Sequence, residues 1–398
     1  MSFVLAILKY KIAIIFYSLI LLIVYLNRKK FDVHGKFVYL YRTKIGVNFM
    51  DRVAKKAERL VKFLGHLGVI VGFAGMIFIL LIILFGAYKL ILKEPGAAGA
   101  SPVVPGLPIA GTGLVFPLIT GWIVIFIIIL VHEFSHGIVA SAYKIKLKNS
   151  GIAFFGPILG AFVEPDEKKL AKQKDWVQHS IFAAGPLANF LTVFVVFLAL
   201  LFVVIPIVNS LYDSEGIIIN PQPGLPADKA GITNNTLIIG INDKPIFTTE
   251  DLQRVMENVK PNQWIELKSN FTTYTVITIE NPDDPSKAYL GVSILGEKLK
   301  LKRDNALNNI LSYVFKWIGQ FLWWLYFLSL NIGLINLLPI FITDGARMLK
   351  VFFNRMIPNN EKSTSIWLFA NWISLLSLLI LLLLPFFRWL GSNLIGTL

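Results

Sequence analysis

Six apolar segments constrain this chain more than any other feature of its sequence. Each is long enough to cross the roughly 30 Å hydrocarbon core of a bilayer as a helix, which needs about 20 residues. Hydrophobic residues make up 55% of the 398 residues. The sequence therefore predicts an α-helical polytopic membrane protein with about six transmembrane helices. The segments cover roughly residues 8–26, 66–92, 114–142, 180–207, 315–338 and 366–390.

Basic residues between the segments predict the orientation of the chain. Residues 27–65 carry eleven Lys and Arg, 143–179 carry seven, and 342–365 carry four, whereas 93–113 has one lysine. Because Lys and Arg concentrate on the cytoplasmic side, we expect the three basic loops in the cytoplasm and 208–312 outside. The net charge of +14 then indicates contact with anionic lipid headgroups of the bilayer and no nucleic acid partner. We expect a prokaryotic cell membrane, since the composition is compatible with a thermophilic prokaryote.

A cluster of ionisable residues interrupts the third apolar segment. Residues 114–130 carry no charge, and a His-Glu-Phe-Ser-His sequence then begins at His132. Positions four apart share a face of a helix, so His132 and His136 can bind one metal ion together. Glu133 then lies beside the metal and can act as a base toward a water. Ionisable residues inside a membrane usually mark a functional site. The alternative is a helix end with polar groups that reach the interface.

A third protein ligand is needed, because catalytic zinc usually has three of them and a water. The chain contains no cysteine, so the ligands must be His, Asp or Glu. Asp344 follows Pro339, which breaks a helix and frees the backbone at membrane depth, and Gly345 permits a close approach. We therefore predict Asp344 as the third ligand. The alternative is a plain cap for a helix over 346–356.

The region between the fourth and fifth apolar segments has a different composition. Residues 208–312 contain ten Lys and Arg and thirteen Asp and Glu. Alternating patterns at 264–268 and 274–279 predict strands, and Pro, Gly and Asn separate them. The sequence therefore predicts a water-soluble α+β domain inserted between two spans.

This inserted domain resembles a PDZ domain. The resemblance rests on a short helix after Pro226, a strand ending near Ile241, and a second helix opening at Thr249. Thr236 departs from it, since such domains often have a turn glycine there. PDZ domains bind peptides by strand addition, so the resemblance implies a peptide ligand. A bulky cap that binds nothing is the alternative.

The motifs and their order resemble the site-2 proteases, a family of intramembrane zinc metalloproteases. The resemblance covers about residues 114–356, and in it Ser135 and Phe341 replace a glycine and a proline frequent in the family. Neither replacement removes a metal ligand. The matching motifs are His132-Glu133-Phe134-Ser135-His136, Ala184-Gly185-Pro186-Leu187-Ala188-Asn189-Phe190, Asn336-Leu337-Leu338-Pro339 and Asp344-Gly345.

The resemblance implies a mechanism for these residues. His132, His136 and Asp344 would hold Zn²⁺. Glu133 would accept a proton from the attacking water and deliver it to the leaving amine. Asn336 would hydrogen-bond the substrate backbone or the developing oxyanion. The alternative for Asn336 is a hydrogen bond between helices.

The implied substrate is a transmembrane protein whose helix must unwind before cleavage, because a helix hides its peptide bonds. The resemblance places a β-like re-entrant loop over 150–163, whose strand edge could pair with the unwound substrate. Pro157 disfavours a continuous central strand there, and an interfacial hairpin is the alternative. Asn189, by contrast, is predicted to serve packing.

The predicted organisation has five parts. An N-terminal transmembrane hairpin with a basic cytoplasmic loop covers 1–113. The first part of the protease core, with the re-entrant loop, covers 114–207. The PDZ-like domain covers 208–300, the second part of the core 301–356, and a C-terminal transmembrane helix 357–398.

The predicted function is regulated intramembrane proteolysis by a zinc metalloendopeptidase. One alternative is a divalent-metal transporter, which needs ligands at similar depth on at least two spans. The other spans offer almost no His, Asp or Glu. A second alternative is a catalytically silent membrane binding protein of the same fold, against which the intact Glu133 argues.

Overall fold

The chain forms two compact units in the computed structural model, which describes residues 3–34, 38–94, 96–97, 99–110, 112, 114–155 and 158–395. The helical unit comprises Met1–Leu198 and Gln320–Leu398, and the β-rich unit comprises Ala199–Gly319. The domain predicted at 208–300 thus lies within the β-rich unit.

The α-helices follow the apolar segments and add short helices between them. A π-helical turn, Leu200–Val204, joins the seventh helix to the eighth. The helices are α1 (Phe3–Leu26), α2 (Val47–Lys56), α3 (Glu58–Leu92), α4 (Leu118–Ala142), α5 (Glu167–Leu170), α6 (Asp175–Phe182), α7 (Ala184–Ala199), α8 (Ile205–Leu211), α9 (Pro226–Lys229), α10 (Thr249–Met256), α11 (Ala306–Leu337), α12 (Asp344–Met356) and α13 (Asn360–Ile395).

The strands belong to two separate regions of the chain. The first four lie in the helical unit and the others in the β-rich unit. The strands are β1 (Asp32–His34), β2 (Val38–Thr43), β3 (Leu147–Phe155), β4 (Ile158–Pro165), β5 (Tyr212–Pro221), β6 (Thr236–Ile241), β7 (Lys244–Pro245), β8 (Trp264–Ser269), β9 (Thr273–Ile277), β10 (Ile279–Glu280), β11 (Ala288–Tyr289) and β12 (Val292–Leu301).

Five helices of the described chain are long and apolar enough to cross a membrane. They are Glu58–Leu92, Leu118–Ala142, Ala184–Leu211, Ala306–Leu337 and Asn360–Arg388. The chain is therefore a polytopic membrane protein with an additional β-rich unit. The first predicted span lies in α1, where the described apolar stretch Tyr10–Leu26 is shorter. A sixth span stays a prediction.

Several spans begin or end differently from the prediction. Helix α3 begins at Glu58, eight residues before the predicted start at 66, and an ion pair from Lys62 to Glu58 supports this added polar turn. The fourth span begins at Ala184 instead of 180, because the preceding residues belong to α6. Hydropathy marks the part of a helix that lies in lipid, whereas hydrogen bonding and capping decide where the helix ends.

A four-stranded antiparallel sheet in the order β1-β2-β3-β4 lies in the helical unit. Strands β3 and β4 form a hairpin, which confirms the β structure predicted over 150–163, although Pro157 lies outside the described residues. The sequence did not reveal that β2 pairs with β3, from Val38 opposite Phe155 to Thr43 opposite Ser150. The N-terminal region therefore occupies one side of the hairpin, and no strand of the described residues pairs with the other side of β4.

A polar network fastens this sheet at one end. Arg42 on β2 donates to Glu164 on β4 at 3.3 Å and also pairs with Asp32 on β1. Asn149 on β3 donates to the same Glu164 oxygen at 2.9 Å. The hydrogen bond from Asn149 lowers the pKa of the Glu164 carboxyl, burial opposes this shift, and Arg42 lowers the pKa further. The network links all four strands through their side chains.

The β-rich unit is built on a sheet in the order β12-β5-β6-β8-β9, with β7 paired to β6. Its core consists largely of buried isoleucines, such as Ile217 and Ile241, which are at most 1% exposed. The predicted elements are confirmed, since α9 begins at Pro226, β6 ends at Ile241 and α10 begins at Thr249. Thr248 caps α10 in a capping box with Asp251.

Candidate metal centre

The paired histidines lie one turn apart on α4, as their spacing predicts. Their ring centroids are 4.9 Å apart. His132 is 6% exposed and His136 is half-buried. The turns of α4 that precede His132 are apolar. The two imidazoles therefore depend for polar contacts on the segments that pack against this face of the helix.

Asp344 completes a group of three possible metal ligands. Helix α11 ends at Leu337, and Pro339 follows in an irregular segment before α12 begins at Asp344. One carboxylate oxygen of Asp344, Oδ2, lies 3.1 Å from His132 Nε2 and 3.3 Å from His136 Nε2. The three ligand atoms all lie within 4.8 Å of one another. Residues 212 positions apart in the chain thus meet at one point.

Thr343 caps α12, so the capping alternative for Asp344 does not describe this helix. The Thr343 hydroxyl accepts a hydrogen bond from the Ala346 N–H and donates one to the Leu338 carbonyl. Asp344 is the first residue of the helix, and its carboxylate faces the two imidazoles. Gly345 permits this arrangement, because a Cβ at that position would lie 2.0 Å from the Leu337 carbonyl oxygen.

Gly185 leaves the space in which a metal ion would bind. This glycine lies in the first turn of α7, against the histidine pair. A Cβ at Gly185 would lie 2.5 Å from both His132 Nε2 and His136 Nε2. Zinc binds imidazole nitrogen at about 2.0–2.1 Å. The missing side chain therefore keeps open the point that both nitrogens face, and the donor set fits a zinc ion.

The other nitrogen of each imidazole also has a partner. His136 Nδ1 lies 2.6 Å from the carbonyl oxygen of Ile181. A carbonyl only accepts, so Nδ1 carries a proton, and Nε2 is the nitrogen that would be available to a metal ion. His132 Nδ1 lies 3.2 Å from Asn189 Nδ2, and Asn189 is fully buried. Metal-binding histidines usually have such a partner on the second nitrogen, because it sets the tautomer.

Glu133 and Asn336, the two predicted catalytic residues, are both half-buried. Glu133 Oε2 accepts a hydrogen bond from the backbone N–H of Val163 on β4 at 3.1 Å. Asn336 lies in the last turn of α11, next to Leu337, whose backbone packs against Gly345. The structure thus brings Glu133 to the sheet. The role of Asn336 stays a prediction.

Sequence reasoning missed three contributors to this centre. The sequence predicts a packing role for Asn189, but its amide contacts the His132 imidazole. Gly185 belongs to one of the matching motifs, but the sequence reveals no role for it. The contact of Ile181 is made by its backbone carbonyl, which the identity of the residue does not reveal. Asn189 could have been found, because a membrane asparagine near two intramembrane histidines is a candidate hydrogen-bond partner.

Comparison with known proteins places the chain in a family. A model of peptidase family M50 matches residues 120–381. An uncharacterized protein of Methanocaldococcus jannaschii is 29% identical to the chain over 400 residues, and the alignment covers 93% of this chain and 97% of the relative. The chain belongs to peptidase family M50, the site-2 protease family, which confirms the resemblance of the motifs. Members of this family are membrane metallopeptidases, typically with zinc.

Proposed function

We propose that this protein is an intramembrane zinc metalloendopeptidase that cleaves transmembrane-helix substrates in regulated intramembrane proteolysis. One observation carries the proposal. His132, His136 and Asp344 present ligand atoms within 4.8 Å of one another, and His132 and His136 lie on an apolar helix. Burying ionisable side chains inside a membrane is costly, so a group of them there usually marks a functional site.

The ligand set favours zinc. Two imidazoles and one carboxylate, in a chain without cysteine, form the set found in catalytic zinc sites that keep a fourth position open. When bound, zinc would acidify a water and polarise the scissile carbonyl. Gly185 supports this assignment, because any larger residue there would meet both Nε2 atoms.

Glu133 is placed to move the protons of the reaction. It adjoins His132 on α4, and its carboxylate lies at the junction of the histidine face and the sheet. It takes one proton from the attacking water and gives that proton to the nitrogen of the leaving amine as the C–N bond breaks. Asn336 would donate its side-chain N–H to the substrate carbonyl, where negative charge develops.

The free edge of β4 is the proposed place for the unwound substrate. Strand β2 already covers the far side of the β3–β4 hairpin. The Val163 N–H points away from β3, since it donates to Glu133. In an antiparallel pair every second residue directs its N–H and C=O outward, so Ala161 shares this direction. A substrate segment that pairs with this edge lies beside Glu133.

The charge pattern supports an orientation with the metal centre nearer the cytoplasm. His136 lies six residues before Ala142, the end of α4, or about 9 Å along the helix. Lysines follow at once in the basic loop. Cysteines introduced at Lys44 and Asp243 test the orientation in this cysteine-free chain. On intact cells, an impermeant thiol reagent should label position 243 and spare position 44, and the reverse pattern would overturn the orientation.

The β-rich unit is proposed to be a PDZ-like domain on the outer side. Helix α9, strand β6 and helix α10 occur in the order that the resemblance requires. Within the part of the chain that the structure describes, β5 is the one strand paired with β12, and Glu297 on β12 accepts a hydrogen bond from the backbone N–H of Thr249 at the start of α10. A strand edge beside a helix is the arrangement with which such domains bind extended peptides.

Glu133→Gln separates the proposed base from the metal ligands. The variant keeps the shape of the side chain and loses the basic carboxylate, so cleavage of a model transmembrane substrate should fall at least about 100-fold. Bound zinc, measured by elemental analysis, should remain near one per chain. Glu58→Gln is the matched control, because Glu58 forms a surface ion pair with Lys62, and its replacement should leave both measurements unchanged.

Two results would contradict the proposal. Substantial cleavage by Glu133→Gln would remove Glu133 from its role as base. Uptake of divalent cations into vesicles, with no cleavage by the native chain, would favour the transporter. Within the described residues, His132, His136 and Asp344 form the one group of three or more possible metal ligands, so a second binding step along a path has no candidate there.

A further inference from the structure

Of the two polar atoms of the Asn189 amide, only one has a hydrogen-bond partner among the described residues. Its Nδ2 lies 3.2 Å from His132 Nδ1. Its Oδ1 is buried and has no hydrogen-bond partner among the described residues. A buried amide oxygen without a partner costs about 1–3 kcal/mol, so it calls for an explanation.

The two histidines differ in what their outer nitrogens meet. His136 faces the Ile181 carbonyl, which accepts and never donates. His132 faces an amide, which donates through Nδ2 and accepts through Oδ1. With Nδ2 toward the ring, His132 Nδ1 accepts and its proton lies on Nε2, directed at Asp344 Oδ2 at 3.1 Å.

Metal binding requires the opposite tautomer of His132. The face shared by both rings is the Nε2 face, because Asp344 and the Cβ position of Gly185 both lie there. A ligating Nε2 must present its lone pair, so the proton moves to Nδ1. The Nδ1–H then needs an acceptor. A half turn of the Asn189 amide about its Cβ–Cγ bond brings Oδ1 to that position.

We propose that Asn189 is a positioning residue that holds His132 in the metal-binding tautomer through Oδ1. This inference rests on the proposed metal site. Asn189 is 0% exposed, and α11 packs closely against it, since a Cβ added at Gly333 would lie 3.2 Å from the Asn189 Cβ. Close packing leaves little room for a water to replace the amide, so Oδ1 becomes the acceptor for the Nδ1–H.

Three variants of the full-length chain test the inference. Asn189→Leu keeps the volume and removes the acceptor, so the affinity for Zn²⁺, measured by competition with a chelator, should fall about 10- to 100-fold. Asn189→Asp provides a group that only accepts, so the affinity should equal or exceed that of the native chain. The absorption spectrum of bound Co²⁺ should be native-like in Asn189→Asp and altered in Asn189→Leu.

Asn371→Leu is the matched control. Asn371 is also 0% exposed and also has an unpaired Oδ1, but its Nδ2 donates to the Trp367 carbonyl within α13. Loss of this asparagine should lower thermal stability and leave zinc affinity within about twofold of native, since polar contacts between membrane helices contribute only modestly.

The outcomes separate the two proposals. Native zinc affinity in Asn189→Leu, or a tenfold loss in Asn189→Asp, would overturn the role of Asn189 and leave the metal site standing. If Asn189→Leu fails to fold, Asn189→Asp decides alone, with retained affinity in support and a tenfold loss against. A native chain that binds neither Zn²⁺ nor Co²⁺ would overturn the metal site itself.

Discussion

The helical unit and the β-rich unit differ in how completely they satisfy their buried polar side chains: within the described residues, the buried atoms that lack a hydrogen-bond partner all lie in the helical unit. In the β-rich unit the buried Thr278 hydroxyl donates to the Lys260 carbonyl and accepts from the Gln263 N–H. In the helical unit the buried oxygens of Asn189, Asn371 and Ser329 have no partner among the described residues. Lipid-facing helices satisfy their own backbones and offer few other partners. A buried polar atom that lacks a partner there is therefore informative.

This difference shows where function is to be sought. The β-rich unit has an apolar core of isoleucines and ion pairs at its surface, such as Lys298 with Glu215, as expected of a fold stabilised by hydrophobic burial in water. The helical unit places two imidazoles, a carboxylate and an amide in contact inside an apolar bundle. Substitutions in the helical unit should therefore change zinc binding and cleavage, whereas changes in the β-rich unit should leave zinc binding intact.

The largest effect is expected from Gly185→Ala. The added methyl would lie 2.5 Å from both Nε2 atoms, where a metal ion would bind. Bound zinc should fall well below one per chain, and cleavage should be lost. Gly68→Ala is the control, because its methyl would meet Leu187 at an ordinary 3.4 Å. Full zinc content in Gly185→Ala would place the metal elsewhere.

A smaller effect is expected from Val163→Pro. Proline removes the N–H that points from the free edge of β4 to Glu133, and an edge strand tolerates proline where its N–H faces outward. Cleavage should fall roughly tenfold to 100-fold, with zinc content unchanged, because Glu133 loses this hydrogen bond and the edge loses a donor for substrate. Unchanged cleavage with normal folding would show that neither Glu133 nor the substrate depends on the Val163 N–H.

Removal of most of the β-rich unit should change selectivity more than chemistry. Residues 214–297 can be replaced by a short flexible linker, because β5 and β12 pair antiparallel and place Asp213 opposite Lys300. Zinc binding should persist, and substrates with a large external domain should be cleaved more readily than by the native chain. The same preference for small external domains in both enzymes would contradict a filter and favour a docking role.

The smallest effect concerns the network around Glu164. Its pKa is lowered in the folded chain by Asn149 and Arg42, so its contribution to stability is present above the unfolded pKa of about 4.3 and is lost as pH falls through the lower folded pKa. The contribution should stay below about 1 kcal/mol, since the group is half-exposed. Glu164→Gln should therefore reduce the loss of thermal stability on acidification, and an unchanged pH dependence would exclude this contribution.

The sequence by itself predicted the class of the protein and the residues of the candidate metal centre. Apolar segments of about 20 residues predict membrane helices, because a backbone in lipid must satisfy its own hydrogen bonds. The spacing of His132 and His136 predicts one shared face, and Pro339 before Asp344 predicts the helix break that frees the carboxylate. These are local properties, readable within a few residues of the chain.

Only the tertiary structure decided the contacts between distant segments. The pairing of β2 with β3, the approach of Gly185 to two imidazoles and the Asn189 amide at His132 join residues from different helices and strands. Period and spacing describe one element at a time, and many arrangements of apolar helices bury similar areas. The shape of neighbouring side chains selects among these arrangements, and here it places the Asn189 amide, which can donate or accept, against the candidate metal ligand His132.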